Sequence, residues 1–146
     1  MIQAVVLLTF LFDQLSKFLI LKTLSFGDSV AVLPHLFYLT LVQNTGIAFG
    51  MLQGWSHLLL WMNTGILFAL CLLIALRRFF NEPLLRIGIG MVTGGGLGNL
   101  LDRLRFGYIV DFLDFRVWPV FNLADSAICI GTFLLLIALL RPSRKG

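Results

Sequence analysis

IGIGMVTGGGLGNLLDRLRF, residues 87–106, carries two messages in one apolar run. Gly90, Gly94 and Gly98 recur every four residues, the small-residue spacing that lets membrane helices approach closely. Close packing accounts for these glycines. It does not account for Asn99, Asp102 and Arg103, which stand at i, i+3 and i+4 and so share one helical face. A charge turned toward lipid at mid-depth costs roughly 2.5–3.5 kcal/mol on insertion scales, so that face is expected to look into a bundle or a wet cavity. An Asp102–Arg103 pair tying helices together is one use of such a face. A chemical site is the other.

The rest of the chain agrees with a membrane setting. Of 146 residues 59% are hydrophobic and 12% charged, where an ordinary soluble domain has about a quarter charged. A bilayer core of roughly 30 Å needs about 20 apolar residues per helix. Residues 2–21, 55–76, 84–104 and 123–140 each meet that length and together make up most of one membrane domain spanning residues 1–146. The expected fold is membrane all-α with four transmembrane helices. The first stretch lacks a basic leading region and a small-residue cleavage pattern and carries Asp13, Gln14 and Lys17, so it reads as a retained helix rather than a secretory signal.

Charge gives an orientation. Arg77, Arg78 and Arg86 after the second stretch, with Arg141, Arg144 and Lys145 in the tail, make six basic residues for the cytoplasmic side under the positive-inside rule. Both termini then lie inside. The outer side receives the other five basic residues (Lys17, Lys22, Arg103, Arg105 and Arg116) but six of the seven acids, leaving Glu82 within. The pI near 9.6 therefore reflects anchoring beside anionic lipid rather than binding to nucleic acid. Cys71 and Cys129 lie in apolar runs on different helices and are expected as small buried hydrophobes.

The segment from 22 to 54 is too long for a turn. Within it VAVLPHLFYLTLVQN has the β-branched and aromatic content of strands, punctuated by Gly27, Asp28, Pro34 and Gly46. Exposed backbone is costly inside hydrocarbon, which predicts a small extracytoplasmic β-sheet between the first two helices. Residues 105–122 form a second outer loop, and Trp55, Trp61 and Trp118 suit an interfacial belt.

Several polar residues have structural and chemical readings side by side. Asp13 and Lys17 are spaced for a helical ion pair, and Lys17 is equally long enough to snorkel outward. Asn44, two before Gly46, suits a turn. Asn122 and Asp125 resemble a capping box at the head of the last helix. Asp111, between Val110 and Phe112, has no such structural explanation, while Asp114 is expected to face water. If two of these carboxylates meet at the outer rim, low dielectric and mutual repulsion keep one protonated and leave the other a base. That pair is the chemistry of aspartic proteases: one acid activates water, the other protonates the carbonyl oxygen and the leaving nitrogen. His35 and His57 have no accompanying nucleophile motif, GGGLGN lacks the lysine of a phosphate loop, and no residues have metal-ligand spacing, so neither cofactor nor metal is expected.

The blocks DQLSK (13–17), NTGIAFG (44–50), GGLGNLLDR (95–103), VDF (110–112) and FNLADSA (121–127), in this order on four hydrophobic helices, resemble the bacterial lipoprotein signal peptidases, or type II signal peptidases. The resemblance implies an inner-membrane aspartic endopeptidase that cuts a prolipoprotein just before the cysteine carrying diacylglycerol. It implies Asp111 and Asp125 as the catalytic pair. Asp13, Lys17, Asn44, Gly46, Asn99, Asp102, Arg103 and Asn122 would shape the site or bind substrate. It also implies that the outer sheet forms a cradle, that the active site faces the periplasm, that membrane lipid is a partner, and that peptide-like antibiotics inhibit the family. Two other classes stand beside it. A small proton-coupled carrier would relay protons across the bilayer through buried acids, and a noncatalytic scaffold would use the acids only as caps.

Overall fold

A computed structural model describes residues 1–46, 56–76 and 82–140. Trp55, Arg77, Arg78, Arg141, Arg144, Lys145 and the second half of NTGIAFG lie outside the described residues. The chain runs α1 (Ile2–Thr23), β1 (Ser29–Leu33), β2 (Phe37–Asn44), α2 (Ser56–Leu76), α3 (Pro83–Phe106), β3 (Ile109–Asp114) and α4 (Leu123–Leu140). Among the described residues, α1, α3 and α4 are long and apolar enough to cross a membrane. α3 is the centre: half of its span is buried, against 11% in α1 and 22% in α4. Leu8, Phe12, Leu15, Phe68, Phe133 and Leu139 point outward, the arrangement of a bundle whose solvent is hydrocarbon.

The glycines decide how closely the helices meet. A Cβ on Gly90 would come within 2.7 Å of the Val5 Cβ, and one on Gly94 within 2.7 Å of the Val6 carbonyl oxygen, so this stripe seats α1 alongside α3 in parallel. One on Gly98 would strike the Asp13 carboxylate. A second stripe faces α4: Cβ atoms on Gly88 and Gly131 would lie 2.8 and 2.7 Å from each other's carbonyl oxygens. Pro83 starts α3 at a position where a missing N–H costs nothing, and Gly107, at φ 79°, ends it with its N–H on the Arg103 carbonyl.

That left-handed turn feeds the chain straight into β3. The sheet is antiparallel in the order β1-β2-β3, so it draws its third strand from the loop between α3 and α4 and is not confined to residues 22–54. β3 is buried along almost its whole length, which hides the polar alternation that marks a half-exposed strand. Its core is Ile20 of α1 with Leu41, Val110 and Phe112, flanked by Leu21, Leu24, Leu39, Tyr108 and Leu113. The sheet therefore rests on the last turn of α1.

Other expectations change in the fold. Cys71 and Cys129 are exposed rather than buried, Cys71 lining a cavity with residues of α1 and α3, because helices that are apolar all round leave some of their small hydrophobes uncovered. Asp114 is buried rather than facing water: Thr40 Oγ1 donates to it at 2.7 Å and the Arg116 guanidinium pairs with it at 3.4 Å. Trp61 and Trp118 are exposed.

Candidate active site

β3 delivers Asp111 and the first turn of α4 delivers Asp125, so the two acids arrive on different elements at one end of the bundle. Asn122 stands between them. Its Oδ1 accepts the Asp125 N–H at 2.9 Å while its own N–H donates to Asp125 Oδ2 at 3.3 Å, which closes the capping box anticipated from the sequence. With its oxygen so occupied, the Asn122 amide must turn its nitrogen outward, and Nδ2 donates to Asp111 Oδ1 at 2.6 Å. The cap thus doubles as the link between the two acids.

Two further asparagines are oriented by the same rule. Asn44 Oδ1 accepts the Gly46 N–H at 3.0 Å, leaving Nδ2 to donate to Asp111 Oδ2 at 2.8 Å. Asn99 Oδ1 accepts from Lys17 Nζ at 3.1 Å, leaving Nδ2 to donate to Asp125 Oδ1 at 2.8 Å. Each amide oxygen is held by a donor that cannot reverse, so each NH2 is committed to a carboxylate.

Behind these amides lies a charged cluster. Lys17 Nζ sits 2.9 Å from Asp13 and 2.8 Å from Asp102, with its side chain only 3% exposed, so it does not snorkel. Asp13 also accepts the N–H of Ala124 at 2.9 Å, and Asp102 accepts the N–H of Val110 at 3.1 Å. Ala124 immediately precedes Asp125 and Val110 immediately precedes Asp111. Each supporting acid therefore grips the peptide next to one member of the pair, and Lys17 joins the two grips. Arg103 does not pair with its neighbour Asp102; its Nη2 donates to the Gly46 carbonyl at 3.1 Å and holds the Asn44–Gly46 turn against α3. Adjacent helix positions point about 100° apart, so Asp102 reaches β3 and Lys17 while Arg103 reaches the turn.

Asp13, Lys17, Asn44, Gly46, Asn99, Asp102, Arg103, Asp111, Asn122 and Asp125 all join this network. Gln14 was missed: its amide donates to Asp13, Asp102 and the Gly98 carbonyl at 3.1–3.3 Å. The signal was available in principle, since Gln14 is a polar side chain inside an apolar helix, as Asn99 is.

The two acids differ in access. Asp111 is 1% exposed, whereas Asp125 is half-buried. Burial pushes the Asp111 carboxyl up to about 7, the charge of Asp125 pushes the same way, and the donated hydrogen bonds of Asn44 and Asn122 hold it back. Near neutral pH such a group both holds and releases a proton readily. Among the described residues no group of histidines, cysteines and acids could hold a metal ion.

The likeness to known proteins is extensive. The chain is 41% identical over 146 residues to the lipoprotein signal peptidase of Halothermothrix orenii, covering 100% of this chain and 99% of that one. It is 48% identical over 143 residues to the lipoprotein signal peptidase of Pelotomaculum thermopropionicum, covering 98% and 91%. A solved bacterial membrane enzyme superposes with a TM-score of 0.88 at 34% identity, over 98% of this chain and 90% of that one. The family described as signal peptidase (SPase) II matches residues 5–141, and with that match this chain belongs to the signal peptidase II family.

Proposed function

We propose that the chain is a membrane-embedded aspartic endopeptidase that removes the signal peptide of a prolipoprotein by cutting immediately before its diacylglyceryl-modified cysteine. Asp111 and Asp125 form the catalytic pair. The observation that carries this reading is that one asparagine, Asn122, bonds both acids and so ties together two carboxylates from separate elements. Family membership supports the substrate class.

Asp111, the more buried acid, carries the proton at rest, and Asp125, the more accessible one, is the base. Asp125 takes a proton from water as the hydroxide attacks the scissile carbonyl carbon, and Asp111 donates its proton to the carbonyl oxygen. When the tetrahedral intermediate collapses, Asp125 passes its proton to the departing nitrogen and Asp111 recovers its own from the hydroxyl. Asp13, Lys17, Asn99 and Asp102 fix the position of the pair, and Asn44, Gly46 and Arg103 shape the wall on which an extended substrate backbone lies.

The charge distribution supports four spans with α2 as the fourth, both termini in the cytoplasm, and one domain over residues 1–146. In a bacterium this puts the protein in the cytoplasmic membrane with the pair at its periplasmic face. An apolar signal helix and a lipidated cysteine then arrive sideways through lipid while water arrives from outside. Peptide-like antibiotics that mimic the extended backbone would compete for the same wall. A transmembrane proton path is not favoured, because among the described residues the bonded acids and amides of the helices gather at one end: residues 13–17 of α1, 98–103 of α3 and the head of α4.

The test uses purified full-length protein in lipid with a diacylated prolipoprotein, following product mass. Asp111→Asn and Asp125→Asn are each expected to lower kcat by at least about 10³ with the fold intact, since Asn keeps the size and, at 125, can still cap. Wild-type turnover in either variant would remove that residue from the pair.

A further inference from the structure

Lys17 cannot satisfy its two acids alone. An ammonium carries three hydrogens, and Lys17 commits them to Asp13 Oδ2 at 2.9 Å, Asp102 Oδ2 at 2.8 Å and Asn99 Oδ1 at 3.1 Å. The Ala124 N–H occupies Asp13 Oδ1, and the Val110 N–H joins Lys17 on Asp102 Oδ2. That leaves Asp102 Oδ1, whose donor among the described residues is Gln14 Nε2 at 3.1 Å. The same amide donates to Asp13 Oδ2 at 3.1 Å and reaches the Gly98 carbonyl at 3.3 Å, so its two hydrogens serve three acceptors. Gln14 therefore bridges both supporting acids, as Lys17 does.

This second bridge stands at the edge of the cluster. Asp13, Lys17 and Asp102 are buried, whereas Gln14 is partly exposed and Phe18, one turn along the same helical stripe, points outward. An amide at a lipid boundary is costly unless its hydrogens are committed, and both of these are. Gly98 makes the room, because a Cβ there would strike the Asp13 carboxylate. Each of the four carboxylate oxygens thus receives a donor, the arrangement that suits two ionised acids. Two carboxylates against one ammonium leave one negative charge in excess. Gln14 supplies hydrogens to them without supplying charge.

We propose that Gln14 is a positioning residue for the cleavage reaction: a neutral donor that keeps Asp13 and Asp102 aimed at the Ala124 and Val110 N–H groups without cancelling the excess negative charge. The inference rests on the assignment of Asp111 and Asp125 as the catalytic pair. Gln14 acts on that pair through the two grips, since Asp13 holds the peptide before Asp125 and Asp102 the peptide before Asp111. Its neutrality bears on the proton of Asp111. The charged groups set around Asp111 are Asp125 of α4, Lys17 of α1, and Asp102 and Arg103 of α3. Burial and the Asp125 charge push the Asp111 carboxyl up, and the Lys17 ammonium pulls it back. A second ammonium three residues from Lys17 would pull in the same direction.

The experiment uses the full chain in lipid with a diacylated prolipoprotein, comparing Gln14→Met and Gln14→Lys with the parent and with Asp111→Asn. Methionine keeps the length and helix propensity of glutamine but has no hydrogen to donate, whereas lysine keeps donors and adds a charge. Gln14→Met is expected to lose about 10- to 100-fold in kcat with KM within about two-fold of the parent, because the pair is displaced while no substrate contact is removed. Gln14→Lys is expected to keep more kcat than Gln14→Met, while the basic limb of its kcat/KM profile moves about half a pH unit or more below the parent's. Parent-like kcat in folded Gln14→Met overturns the proposal, and so does a loss confined to KM, which would mark a substrate contact. A basic limb in Gln14→Lys that coincides with the parent's overturns it as well, and this arm decides alone if Gln14→Met does not fold. A parent that cleaves nothing, or an Asp111→Asn variant that cleaves normally, defeats the assignment of the pair and this inference with it.

Discussion

At the scale of the residue, the site depends on which way three amides face. Asn44, Asn99 and Asn122 each receive an irreversible donor on oxygen and so present NH2 to an acid. Asn122→Ser separates its two duties, since serine is a good N-cap but cannot reach Asp111 with a second donor. It is expected to leave thermal stability within about 1 kcal/mol while kcat falls by about 10-fold or more, read from unfolding and turnover on one preparation. Asp111 supplies a pH prediction. Its carboxyl rises from the ordinary 3.8 to about 7 on folding, so the native state binds more protons between those values and loses stability as pH rises through them. Asp111→Asn lacks that penalty. Unfolding free energies of the variant and the parent should coincide near pH 4 and diverge toward pH 8, with the variant higher by on the order of a few kcal/mol. The parent's kcat/KM should fall along a basic limb near pH 7 as Asp111 loses its proton.

At the scale of the element, α3 is a spacer whose missing side chains matter as much as those present. Gly94→Ala puts a methyl within 2.7 Å of an α1 backbone oxygen, where only a helix shift relieves it. It should cost about 1–3 kcal/mol by overpacking. Gly65→Ala on α2 meets nothing within 4 Å and should be neutral or stabilising by up to about 1 kcal/mol through helix propensity. Comparing the two variants by unfolding in bicelles checks both. The glycine spacing was legible in the sequence because it repeats along one helix. β3 was not legible: YIVDFLDF is interrupted by two acids, and its partner β2 lies some 70 residues earlier, so no local pattern announces the pairing.

At the scale of the molecule, Lys17 is where the parts meet. It pairs with Asp13 and Asp102, which hold the peptides before Asp125 and Asp111, so one ammonium on α1 couples α3, α4 and the sheet. Lys17→Met leaves two carboxylates buried without a cation and is expected to cost about 3–5 kcal/mol. The triple variant Lys17→Met, Asp13→Asn, Asp102→Asn removes the uncompensated charges and should be markedly more stable than Lys17→Met alone. Equal stability of the two would show that charge pairing does not couple the parts.

The sequence by itself determined the solvent, the helices and the cast of polar residues. Long apolar runs have few alternatives to membrane helices, and a charged or amide group inside one needs a partner. Five short blocks in order supplied the family resemblance. Only the tertiary structure decided who bonds to whom: that Asp102 turns to Lys17 and leaves Arg103 to Gly46, that Asp114 is buried, that β3 joins the sheet, and that Asn122 bonds both acids. The physical reason is that partnership in a low-dielectric interior is settled by distance and by which donors are already committed. Those depend on how elements far apart in sequence come to rest against one another.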